Sequence, residues 1–89
     1  MDVRIGTVTH YFTRIGVAVL QLSGDIRLGD TVLILGHTTE FTQKVSSLEI
    51  DHRQVPAAHA GMEVALLVAE PVRKGDLVYR VIEGAFEKA

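Results

Sequence analysis

No stretch of this chain repeats its apolar residues at the spacing of a helix face. Between positions 3 and 82 they come in short runs rich in Val, Ile, Leu, Thr and Tyr, bounded by glycines, which is the pattern of strands. Six strands are expected, over 3–11, 16–22, 31–35, 40–50, 62–69 and 77–81. Three Gly-Asp pairs punctuate them: Gly24 with Asp25, Gly29 with Asp30, and Gly75 with Asp76. Glycine can take a positive φ there and the aspartate can close the turn through its side chain, so the pairs read as turns and not as metal sites. The fold class is all-β, a small six-stranded closed antiparallel β-barrel with Greek-key-like connections, over residues 1–81 with a short tail at 82–89.

Strand parity adds detail. In the fourth run Phe41 and Val45 share one parity while Leu48 and Ile50 share the other, so an unbroken strand would send the two pairs to opposite faces. One extra residue near Ser46 and Ser47 restores a common face, and a β-bulge is expected there. The fifth run is apolar on both faces, with Met62, Val64, Leu66 and Val68 on one and Ala65, Leu67 and Ala69 on the other. Two explanations stand open: a loop or the C-terminal segment covers the second face, or the face is an exposed patch for a partner. Pro56 and the alanines before Gly61 suggest an irregular connector with one short helical turn.

Composition bounds the rest. The 89 residues suffice for one domain, 47% of them are hydrophobic, and with no cysteine there is neither a disulfide nor a thiolate site to supplement the core. The longest apolar runs fall short of a membrane span, so no membrane partner is expected and the chain reads as cytoplasmic. A net charge of −2 from scattered residues gives no broad phosphate-binding footprint.

Catalytic patterns are missing from the sequence. There is no GxxxxGK[ST] loop, so no GTP is expected, and His10, His37, His52 and His59 have no metal-ligand spacing. In "GHTTEF", residues 36–41, His37 stands beside Thr38 and Thr39, but adjacent strand residues face opposite ways, and a hairpin turn is the simpler reading. Glu49 and Asp51 share a face at a strand end, where a solvated edge is expected. The chain is therefore read as a non-enzyme, with no catalytic residues, cofactor or metal.

The series "GDIRLGDTVLILG", "VSSLEI", "AHAGMEVALLV" and "VRKGDLVYRV" resembles the second, β-barrel domain of the translational GTPases, the family of elongation factor Tu and initiation factor two. Glu49 lies twelve residues before Gly61, as the matching glutamate does in elongation factor Tu. A closer likeness is to the C-terminal barrel of the collagenase-like peptidase family, carried by "THYF", "IGVAV", "GHTT" and "VRKGDLVY". The first resemblance implies a tRNA-end pocket at Glu49 and Leu67, with Glu63 facing the amino acid. The sequence departs from it in a shorter second strand, in Asp51, His52 and Arg53 after the glutamate, and in the missing GTPase domain.

Two functions follow as expectations. One is a non-catalytic module that binds tRNA, rRNA or a ribosome-associated partner through Glu49, His52 and Arg53 and through Tyr11, Arg14, His37, Thr38 and Thr39, where aromatic and cationic groups suit unpaired bases. The alternative is a protein-interaction module that docks on a separately encoded peptidase-like or RNA-modifying enzyme subunit, to which the second apolar face of the fifth strand is suited.

Overall fold

The structure is a computed structural model that describes residues 2–82. Ten strands follow one another: β1 (Asp2–Phe12), β2 (Val17–Leu22), β3 (Ile26–Arg27), β4 (Thr31–Leu35), β5 (Glu40–Lys44), β6 (Leu48–Ile50), β7 (Arg53–Gln54), β8 (Ala57–Ala58), β9 (Glu63–Leu67) and β10 (Leu77–Val81). No helix occurs among the described residues. Every ladder is antiparallel, and eight strands run in the order β5-β4-β10-β1-β2-β9-β6-β7, with β3 and β8 paired apart. The expected tail, apart from Ile82, lies outside the described residues.

Three expectations are corrected by the strand pairing. The sheet does not close by hydrogen bonding, because the expected fourth strand breaks after Lys44 and resumes at Leu48. Its first half pairs with β4 and its second half with β9, so the chain itself, through Val45–Ser47, spans what a closed barrel would bridge with a ladder. The parity change expected at Ser46 and Ser47 is real, but it is met by a change of partner rather than by a one-residue bulge. The connector after Pro56 is no helical turn: Ala57 and Ala58 pair with Arg27 and Ile26.

The alternation of the strands sends one parity inward. Val8, Ala18, Leu20, Val32, Ile34 and Val78 come from the central strands, and Val64, Leu66, Leu48 and Val45 complete the core from the other side. Burying a side chain of this kind is worth about 1.5–3 kcal/mol, so packing carries the stability of this cysteine-free chain. β1 reaches two neighbours by shifting register twice, between Arg4 and Gly6 against β10 and between Val8 and His10 against β2. Such bulges bend a strand and let one long element serve a curved sheet.

The turns at 27–30 and 73–76 share the form Arg-X-Gly-Asp. In each, the aspartate amide donates to the arginine carbonyl, at 3.1 and 3.0 Å, and the arginine amide donates to the aspartate carboxylate at 2.9 Å. Gly29 and Gly75 take φ of 91° and 96°, the third-position conformation of a type II turn. Each turn also grips a valine of a neighbouring segment by a pair of backbone bonds, Val45 in the first case and Val8 in the second. The strands that follow, β4 and β10, pair with each other, which places the two turns at opposite ends of that pair.

Candidate functional site

The β4–β5 hairpin, the β1–β2 turn and the segment before β10 meet at one end of the molecule and enclose an open cleft of 580 Å³. Tyr11, Phe41 and Val72, packed on the core, form its floor with Thr39, which is 6% exposed. Thr13, Thr38, Glu40, Glu70 and Arg73 stand at the rim, so both signs of charge are present. The stretch "GHTTEF" is the expected hairpin, closed by the Gly36 amide on the Thr39 carbonyl at 2.7 Å. Gly36 is required for a specific reason: a Cβ there would overlap a carboxylate oxygen of Asp76, itself 4% exposed. The backbone of the hairpin thus rests on the second Arg-X-Gly-Asp turn, and this contact fixes the cleft.

Next to the cleft the edge of β5 faces the segment 67–73 without a ladder. Gln43 spans the gap. Its side-chain amide donates to the Leu67 carbonyl at 2.8 Å and accepts from the Ala69 amide at 2.7 Å, with a longer contact of 3.3 Å to the Lys44 carbonyl. A smaller cleft of 280 Å³ lies on the far side of this strut, lined by Lys44, Ser46, Leu67 and Ala69 among others. The sequence held one sign of it, a polar residue at 43 between the inward positions 41 and 45.

The outer face of β1, β2 and β9 carries an apolar row. Phe12 pairs with Val17 and Val17 with Leu67, so the three side chains lie abreast. Phe12 is 49% and Leu67 43% exposed, and Ile15 in the adjoining turn is 64% exposed. The next row holds His10, Val19, Ala65 and Glu49, with the His10 ring stacked on Phe12 at 6.2 Å between centroids. Of the two explanations for the doubly apolar strand, the described residues favour exposure.

The residues expected at a binding site are distributed over three places. Tyr11, Thr38 and Thr39 meet in the large cleft, while Arg14 and His37 are exposed in the adjoining turns and do not line it. Glu49, Glu63 and Leu67 share the outer face, and the Glu49 carboxylate accepts from Gln54 at 3.3 Å. His52 and Arg53 stand at the β6–β7 hairpin, whose turn residues Asp51 and His52 adopt φ of 52° and 64° without glycine. Sequence reasoning missed Phe41's neighbours Glu70, Pro71, Val72 and Arg73, which reach the cleft only through the long-range fold. No group of three or more metal-ligating side chains converges among the described residues.

No family model matches the chain. It is 37% identical over 82 residues to an uncharacterized protease of Methanocaldococcus jannaschii and 36% identical over 78 residues to a collagenase of Porphyromonas gingivalis. These matches cover 91% and 85% of this chain but only 20% and 22% of the relatives. The fold agrees: the crystal structure of the C-terminal domain of a Geobacillus thermoleovorans protein described as a U32 peptidase superposes with a TM-score of 0.82 at 26% identity, over 88% of this chain and 91% of that one. Its homologues are C-terminal domains of the U32 peptidase and collagenase family. The chain spans about a fifth of the length of the curated relatives it matches. Of the two resemblances read in the sequence, the one to peptidase C-terminal domains is the one these matches carry, and the likeness to the translational GTPases is not shown by them.

Proposed function

We propose that this U32-type C-terminal domain is a non-catalytic accessory module that docks on a peptidase-like catalytic portion through the row Phe12, Val17, Leu67 and the adjoining Ile15. The observation that carries the reading is the coverage: in the relatives a homologous segment is about one fifth of a longer chain, so a peptidase-like body is its regular neighbour. An exposed apolar row on a small domain suits that neighbour, since such patches mark interaction surfaces. The Methanocaldococcus jannaschii protease, produced without its matching segment, is the partner to test by titration calorimetry. A saturable complex is expected, weakened at least tenfold by Phe12→Asp or Ile15→Asp, each of which puts a charge into a desolvated contact. Absence of a complex at any salt overturns the reading. So does a salt-dependent affinity for tRNA, lost on Arg14→Ala and Arg53→Ala, appearing in its place.

A further inference from the structure

The seam between β5 and residues 67–73 differs from an ordinary sheet edge in being bridged by a side chain. At the two ends of the β4–β5 ladder the Val45 amide donates to the Asp30 carbonyl and the Gly36 amide to the Thr39 carbonyl, which marks 30 with 45 and 36 with 39 as hydrogen-bonding positions. Antiparallel pairs alternate, so Val32 with Gln43 and Ile34 with Phe41 are bonded as well, and the backbone groups of Glu40 and Thr42 point away from β4 into the seam. Opposite them, the Leu67 carbonyl and the Ala69 amide also point into the seam, and the Gln43 amide satisfies both. Gln43 therefore stands where the backbone of a further strand would stand, offering one donor and one acceptor to the far wall.

We infer that this seam is a receptor groove for an extended polypeptide, which adds to β5 as a strand and displaces the Gln43 side chain. The chemistry of the walls selects that occupant. Main-chain N–H and C=O groups in a row are matched only by another main chain, and strand addition to an exposed edge is an established way of binding an extended peptide. The clefts of 580 and 280 Å³ on the two sides of Gln43 provide room for alternate side chains, the larger over the aromatic floor of Tyr11 and Phe41. Its rim, with Glu40 and Glu70 against Arg73, has no single sign that would choose a small charged ligand. The groove shares Leu67 with the docking row, but neither Phe12 nor Ile15 lines it, and the inference stands whether or not that docking occurs.

The probe is a blocked, fluorescently labelled seven-residue peptide of alternating threonine and valine, a strong strand former without charge. Anisotropy should show saturable binding that tightens roughly tenfold on Gln43→Ala, because the two bonds of the strut no longer have to be broken on entry. Thr42→Pro removes an amide that β4 does not use, as proline on an edge strand is tolerated there, so it should lower affinity at least tenfold with the melting temperature nearly unchanged. The same peptide N-methylated at alternate amides should bind at least tenfold more weakly to the unaltered domain, and that pair of measurements decides the matter if Thr42→Pro does not fold. A Thr42→Pro domain that melts normally and binds as before overturns the inference, as does equal affinity for the methylated peptide, or no binding to either the unaltered domain or Gln43→Ala. Phe12→Asp should leave peptide binding intact, which keeps this result distinct from the docking test.

Discussion

The turns at 27–30 and 73–76 carry the same bonds and the same glycine conformation, yet only in the second does the aspartate carboxylate lie buried beneath another loop. Asp30 is half-buried, and its turn is held to neighbouring segments by backbone bonds, a pair to Val45 and one from the Leu28 amide to the Pro56 carbonyl. Asp76 is buried beneath Gly36 and holds the hairpin that bounds the large cleft. A repeated local motif thus supplies a repeated shape, and what the shape does is decided by what packs against it. In the second copy a turn has become a foundation for the candidate site.

The strongest way to break this comparison is at the contact itself. Gly36→Ala should destabilise the domain by about 3 kcal/mol in urea unfolding, since the added methyl overlaps a buried carboxylate that has little room to retreat. In an Asp76→Ala background the same substitution should cost far less, and a double-mutant cycle with no coupling would show that Gly36 matters for some other reason. Next in size, Asp76→Ala should cost about 2 kcal/mol and Asp30→Ala about 1 kcal/mol, because the bond to the arginine amide is lost from a buried site in one case and a more exposed one in the other. Equal losses would mean that burial does not separate the two turns.

A third turn sharpens the point from the opposite side. At Asp51 and His52 the chain takes the left-handed conformation with side chains in place of glycine, so His52→Gly should raise stability by about 0.5–1 kcal/mol. A loss of stability in thermal unfolding would show that the His52 side chain makes a contact worth more than the strain.

Local pattern made much of the fold legible. Strands β4 and β10 fall at the expected residues, because a period of two bounded by Gly-Asp turns leaves little freedom. The break in the expected fourth strand was visible as a parity change, but its resolution by a switch of partner depends on β9, which parity along one strand does not describe. Ala57 and Ala58 carry no strand signal of their own and pair only because Ile26 and Arg27 are brought alongside. The site followed the same rule: Tyr11, Thr38 and Thr39 stood out as turn-side polar and aromatic groups, whereas Glu70 to Arg73 joined them through contacts made across the whole chain. Gln43 was the one legible sign of the seam, and it reads as a strut only once Leu67 and Ala69 are seen opposite it.

One feature of the sheet order bears on biosynthesis. β10 lies between β1 and β4, the first and fourth strands to be made, and is itself the last of the ten. A ribosome therefore delivers both flanks of this interior seat before its occupant, and until β10 emerges the inner edges of β1 and β4 present unpaired backbone to any neighbouring chain. The nascent domain passes through an interval in which an interior seam is its most adhesive part, and the arrival of Leu77–Val81 ends that interval by filling both edges at once.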